Sequence, residues 1–393
     1  MRLISVTCNF RELAGGEAKG DGMDDRANRA ALLRPLMGIR FIAVMAVILH
    51  HSGASWLALQ SWTPPLVDNL LLNGTLAQGF FFVLSGFILQ TLYRHRMAEP
   101  GAWRRYAVSR FARIYPVYFL GVIAVAPFVA SIGWDALPQF LLLQCWPREG
   151  SVTWDIWNGP SWMLSVEFAF YLVFPFVCRL VERMSPRTIA GVVAAATLFI
   201  FLTGSAGPPG GTLGPDWVRT VPLPILRFPE FLAGVAIAEW QARRGIRPIV
   251  LPPGTALIGF AIVLMFPSYP QQAAVAIVFS TLMTIGLANN RRAMFTRMLD
   301  AKPAILLGAA SYSMYMLAVP VHAALSATRL GHGVLLLQYP LIIGAAIALL
   351  FVYENPMRRW INGWSRPPTV APPVTETLAL DIAETAPVSA AKA

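Results

Sequence analysis

The chain has 393 residues, of which 56% are hydrophobic and 13% charged, and its mean hydropathy is +0.57. Globular domains carry roughly 25% charged residues, so this composition excludes a string of soluble domains and places the chain in the membrane class. A formal net charge of +11 would suit a nucleic-acid binder. The basic residues instead fall in the connections between apolar runs, so they are read as orienting the chain in a bilayer, and no nucleic-acid partner is expected. Cys8, Cys145 and Cys178 are isolated in the sequence, which excludes a disulfide framework and a cysteine-based metal site. No metal is expected.

Residues 1–34 are polar, Gly-rich and of mixed charge, and read as a mobile cytoplasmic segment. They hold no apolar core long enough for a cleavable signal peptide, so the first span is expected to direct insertion. Apolar windows near the required ~20 residues then recur near 37–58, 75–93, 112–132, 162–181, 188–204, 222–241, 250–267, 271–288, 303–325 and 334–353. These predict an all-α integral membrane protein of about ten transmembrane helices within residues 35–359. The run Leu137–Cys145 is too short to cross and reads as interfacial or re-entrant. Residues 360–393 form a tail, rich in Pro, Ala and Thr from 366 onward, that is expected to be disordered and cytoplasmic. Of the 31 Lys and Arg, only Arg148, Arg219 and Arg329 fall in the alternate set of loops, Arg40 and Arg227 fall within the spans, and the other 26 fall in the first set of connections and the span ends beside them. That asymmetry follows the positive-inside rule with both termini in the cytoplasm.

The first window, Pro35 to His51, is apolar but carries Arg40, His50 and His51. Arg40 and His51 are eleven positions apart, which is three helical turns plus about 20°, so they share a face about 16 Å apart along the axis. Hydrocarbon penalises such residues, so this face is expected to look into protein or a wet cavity. The alternative is structural: Arg40 anchors the helix at headgroups and His51 makes an interhelical hydrogen bond. His50 points about 100° away from His51.

Arg110 and Arg113, at i and i+3, share a face where the third span begins, and guanidinium forks suit phosphate. Positive-inside anchoring accounts for either one alone. The fourth span runs from Gly159–Pro160–Ser161–Trp162 through Ser165 and Glu167 to Tyr171, with Glu167 and Tyr171 one turn apart on one face. An intramembrane glutamate points to function or to a defined partner. Arg227 and Glu230 read as a structural ion pair. Ser311, Tyr312, Ser313 and Tyr315 make a polar stripe on the ninth span, with His322 near its outer end.

Seven blocks occur in order along the chain: Gly38–Ile39–Arg40–Phe41 leading to His50–His51, Phe80–Phe87, Arg110–Pro116, Pro160–Trp162 through Glu167, Phe228–Gly234, Ser311–Tyr315, and Tyr353–Glu354–Asn355–Pro356. In this order they resemble the membrane-bound acyltransferase-3 family. The resemblance implies a ten-helix bacterial inner-membrane enzyme that takes an acyl group, acetyl by preference, from cytoplasmic acyl-coenzyme A. The acceptor it implies is a hydroxyl of an exopolysaccharide, lipopolysaccharide, lipid-linked glycan or other glycolipid, or of a small macrolide-like natural product. It maps the family's Arg–His pair onto Arg40 and His51 and its arginine pair onto Arg110 and Arg113. One departure stands out: Ala318 occupies a position where family members often carry histidine, and His322 follows one turn later.

On this reading His51 is the general base, since an imidazole titrates near pH ~6.5. Arg40, Arg110 and Arg113 bind the phosphates of acyl-coenzyme A. Glu167 orients His51 or binds the acceptor, and Ser165 or Tyr171 stabilises the oxyanion, with Tyr315 and His322 on the acceptor side. A covalent acyl-histidine and a glycolipid transporter or flippase are the alternatives.

Overall fold

The structure, a computed structural model, describes residues 22–52, 63–128, 133–146, 157–204, 218, 220–244, 251–328 and 336–365. The elements, in chain order, are helices α1 (Gly22–Ser52), α2 (Pro65–Leu72), α3 (Leu76–Tyr93), α4 (Ala102–Ile123), α5 (Leu137–Phe140), α6 (Trp162–Arg183) and α7 (Pro186–Thr203). Then follow α8 (Leu223–Arg244), α9 (Pro253–Met265), α10 (Gln272–Asn289), α11 (Met294–Leu299), α12 (Lys302–Ser326), α13 (Gln338–Leu349) and α14 (Asn355–Gly363). No strand occurs among the described residues. Helices dominate because, in lipid, a single helix satisfies its backbone hydrogen bonds internally.

Each of the ten apolar windows falls on a helix, and among the described residues eight segments are long and apolar enough to cross a membrane: Leu32–Ser52, Pro65–Tyr93, Ala102–Phe128, Gly159–Arg183, Pro186–Thr203, Gln272–Asn289, Lys302–Ser326 and Gln338–Gly363. The chain is an all-α integral membrane protein, with eight such helices among the described residues against the about ten expected from the sequence. The window at 222–241 is α8, which is 22 residues long but carries Arg227, Glu230, Glu239 and Arg243. Those charges are sheltered by protein: Phe231, Val235 and Ala236 are fully buried, and Arg227 pairs with Glu230 at 3.2 Å. The window at 250–267 is α9, whose 13 residues span only about 20 Å against a hydrocarbon core of ~30 Å.

α1 begins at Gly22, inside the segment read as mobile. The expected disordered stretch at 366–393 lies outside the described residues, as do 53–58 of the first window and 129–132 of the third. The core is organised by two close crossings, α1 with α12 and α3 with α8. At Gly308 a Cβ would overlap the Met37 carbonyl of α1, and at Gly234 it would overlap the Val83 carbonyl of α3. Small residues at such crossings let backbones approach where no hydrophobic force drives helices together. The two crossings bring Arg40 on α1 and Ser85 on α3 to the same interior.

The run Leu137–Cys145 is the short α5 followed by turns. Its irregular backbone is buried against protein: the Gln139 carbonyl accepts from the Tyr118 hydroxyl at 2.6 Å, and the Leu142 carbonyl accepts from the Ser165 hydroxyl at 2.6 Å. Leu142 itself is left-handed, φ 58°, and costs roughly 1–2 kcal/mol. Non-helical backbone at membrane depth is tolerated only where protein supplies its partners.

Candidate active site

A cavity of about 400 Å³ lies between α1, α3, α4, α6, α12 and the last helices. Its rim includes Leu33 near the start of the first span, Leu92 near the end of α3, and Ile305 near the start of α12. Its inner end is formed by Val44, Glu167, Tyr171 and Tyr315. The α1 stripe Leu33, Met37, Arg40, Val44 follows helical spacing down one wall, about 16 Å long at 1.5 Å per residue.

Three sequence-predicted arginines meet in this cavity. Arg40 lies over the Phe81 ring at 5.9 Å. The Arg110 guanidinium is buried among three tyrosine rings, 5.7 Å from Tyr93, 6.0 Å from Tyr106 and 5.6 Å from Tyr171. Arg113 pairs with Glu354 at 2.7 Å and faces the Tyr312 ring at 5.5 Å. Arginine over aromatic faces is attracted by the ring quadrupole and is held without spending its hydrogen-bond donors. Accordingly Arg40 Nε, Arg110 Nε and Arg113 Nη2 are buried and find no protein acceptor. A buried donor left unmade costs about 1–3 kcal/mol, more when charged, so three such donors around one cavity suit an anionic ligand. All three sit mid-helix rather than at helix starts, because α1 begins at Gly22 and α4 at Ala102, each well before its predicted window.

Glu167 faces the inner end of the cavity. Its Oε1 accepts from the Ser85 hydroxyl at 3.1 Å and from the Tyr171 hydroxyl at 2.6 Å, and the Tyr171 carbonyl accepts from Tyr106 at 2.9 Å. Among the described residues Glu167 makes no hydrogen bond to His51, so the expectation that it orients that imidazole has no contact behind it. Tyr315 lines the same end, with its hydroxyl donating to the Pro160 carbonyl.

The remaining predicted residues lie elsewhere. The cavity lining on α1 stops at Val44; Val47 and Ile48 fill the next turn and are buried. His51 comes one turn further, exposed and edge-on to His50 at 4.9 Å. His50 Nδ1 meets the Leu71 carbonyl at 2.9 Å and ties α1 to α2. Ser165, two positions from Glu167, points away from the cavity and holds the Leu142 carbonyl, so its hydroxyl is committed to the buried turn and not to an oxyanion. His322 also lies outside the lining: its Nδ1 meets Gln338 Oε1 at 3.0 Å, linking α12 to α13. That contact ties the two helices together.

Glu354 was missed as a site residue. It is buried at the end of a single π-helical turn, Leu350–Glu354, a rare element that concentrates at functional sites. Its Oε1 takes Arg113 and Arg358, and its Oε2 accepts from the Ser313 hydroxyl at 2.7 Å. Its signal in the sequence is the block Tyr353–Pro356; the last apolar window closes at residue 353, one position short of the carboxylate.

Residues 36–354 match the family described as an acyltransferase domain, acyltransferase 3. The chain is 29% identical over 384 residues to Acyltransferase MdmB of Streptomyces mycarofaciens, covering 88% of this chain and 97% of that one. It is 26% identical over 331 residues to O-acetyltransferase OatA of Staphylococcus aureus, covering 73% of this chain and 50% of that one. It is 22% identical over 250 residues to Peptidoglycan O-acetyltransferase OatA of Listeria monocytogenes, covering 57% of this chain and 36% of that one. The chain therefore spans half or less of the OatA proteins. No solved structure matches it. With the family match extending across nearly all of the helical bundle, the chain belongs to the acyltransferase-3 family of membrane acyltransferases.

Proposed function

We propose that this acyltransferase moves an acyl group, acetyl in the simplest case, from cytoplasmic acyl-coenzyme A to a hydroxyl of a carbohydrate acceptor. The acceptor class is an exopolysaccharide, lipopolysaccharide or lipid-linked glycan of the bacterial inner membrane. The observation that carries the reading is the set of buried guanidinium donors without protein acceptors, Arg40 Nε, Arg110 Nε and Arg113 Nη2, around one cavity. They fit the diphosphate of the donor, because guanidinium binds phosphate by charge-assisted and often paired hydrogen bonds. The OatA relatives, named as O-acetyltransferases and in one case for peptidoglycan, support acetyl as the group and a glycan as the acceptor class.

The donor enters at the rim and its phosphates settle against the arginines. Its pantetheine arm then follows the α1 stripe toward His51, about 16 Å from Arg40. His51 takes the proton from the acceptor hydroxyl as that oxygen attacks the thioester carbonyl. The carbon–sulfur bond breaks, an ester forms, and the coenzyme A thiolate leaves and picks up a proton. Glu167, held by Ser85 and Tyr171, binds acceptor hydroxyls at the inner end. The Val47–Ile48 layer separates cavity from imidazole, so the acyl end reaches His51 only when that layer gives way.

Purified protein in lipid nanodiscs, supplied with labelled acetyl-coenzyme A and extracted membrane glycan, tests this reading. His51→Ala should reduce transfer by at least about a hundredfold, the usual share of general-base catalysis, at unchanged expression. Transfer at the wild-type rate by this variant rejects the general-base assignment, and a trapped acyl-protein would replace it by an acyl-histidine. Mass spectrometry of glycans from cells with and without the chain should show a missing acyl mass.

A further inference from the structure

One side chain touches both halves of the cavity. Tyr171 is buried on α6, one turn beyond Glu167, and lines the inner end. Its hydroxyl donates to Glu167 Oε1 at 2.6 Å, so that proton is committed to the carboxylate and not to an oxyanion. Its ring faces the Arg110 guanidinium at 5.6 Å. The turn that carries it is fixed by a sequence device. Pro175 stands four residues further along the same helix and has no N–H, so the Tyr171 carbonyl lacks its helical donor. The Tyr106 hydroxyl of α4 takes that place at 2.9 Å, and the Tyr106 ring lies 6.0 Å from the same guanidinium.

The two contacts of Tyr171 use different parts of the phenol. A guanidinium over the ring is attracted by the ring quadrupole and keeps its donors for a ligand. The O–H to a carboxylate is a charge-assisted hydrogen bond, which fixes the acceptor's direction. Ser85 on α3 donates to the same Oε1 at 3.1 Å, and among the described residues no hydrogen bond reaches Oε2. With both protein donors on one oxygen, the other is left for a hydroxyl in the cavity.

We propose that Tyr171 is a positioning residue with two separable roles. Its ring sets Arg110 for the diphosphate of the donor, and its hydroxyl orients Glu167 so that Oε2 receives an acceptor hydroxyl. The assignment rests on the donor and acceptor reading above. Phenylalanine keeps the first role and removes the second, whereas leucine removes both.

Two measurements on the full chain in nanodiscs separate the roles: the Kd of coenzyme A by titration calorimetry, and KM and kcat for lipid-linked glycan extracted from membranes. Tyr171→Phe should keep the coenzyme A Kd within about twofold of wild type and raise KM for the glycan about tenfold or more. Tyr171→Leu should also weaken coenzyme A about fivefold or more. In an Arg110→Gln background the leucine variant should cost no further coenzyme A affinity, since the ring acts through that guanidinium. A glycan KM unchanged in Tyr171→Phe overturns the hydroxyl role. Coenzyme A weakened as much by phenylalanine as by leucine, or additive losses with Arg110→Gln, overturns the ring role and marks Tyr171 as packing alone. If Tyr171→Leu yields no monodisperse protein, the two readouts of Tyr171→Phe decide: a weakened coenzyme A Kd or an unchanged glycan KM overturns the separation. Wild-type protein that binds no coenzyme A overturns the donor reading itself.

Discussion

The chemistry of the cavity rests on how individual guanidiniums are held. Rings support Arg40 and Arg110, whereas Arg113 leans on a carboxylate, Glu354. Arg113→Ala should therefore raise KM for acetyl-coenzyme A about tenfold or more, with kcat less affected, since the loss falls on donor binding in ground and transition states alike. Arg113→Lys should recover only part, because an ammonium lacks the paired fork. Initial rates over a range of donor concentrations measure this, and an unchanged KM in Arg113→Ala would falsify the phosphate role. Residue type and spacing pick out Arg40, Arg110, Arg113 and Glu167, which the structure brings to one cavity. They were not enough for Ser165, whose direction depends on the buried Leu142 carbonyl, a partner more than five helical turns distant in sequence.

On the scale of a helix, α1 is the axis along which the proposed donor binding and proton transfer are separated. Periodicity alone put Arg40 and His51 on one face, but it could not show that Val47 and Ile48 close the stretch between them. Ile48 is 1% exposed and follows Val44 by one turn on the cavity stripe. Ile48→Phe should lower kcat at least about tenfold while leaving KM for acetyl-coenzyme A near wild type, because the arm is obstructed beyond its phosphate anchor. Overpacking a core costs about 1–3 kcal/mol, so monodisperse gel filtration of the variant is the companion measurement. Wild-type kcat in a folded Ile48→Phe protein would mean that the acyl group does not travel past this residue. The π turn at Leu350–Glu354 is the counterpart on the opposite wall: it brings Glu354 to Arg113 one residue beyond where apolar patterning ends.

At the scale of the molecule, two crossings hold the walls of the cavity in place. Gly308 lies against the Met37 carbonyl, one turn from Arg40. Gly308→Leu should separate α1 from α12, lowering the midpoint of thermal unfolding in detergent and abolishing transfer; a variant with both unchanged would show that the crossing does not set the site. Hydropathy and charge asymmetry alone determined that the chain is an all-α membrane protein, because hydrocarbon excludes unpaired backbone and most charge. The same filter made Arg40, Glu167 and the paired arginines legible. Tertiary structure alone decided that α8 is sheltered by its neighbours despite its charges, that α9 is too short to cross, and that Ser165 and His322 serve packing. It also brought Arg358 and Arg359 to the cavity lining and set Glu354 behind Arg113. The physical reason is that cost in lipid is a property of one residue and its depth, readable along the chain, whereas a hydrogen-bond or ion-pair partner is supplied by another helix. Which helix supplies it is decided where backbones cross at Gly234 and Gly308.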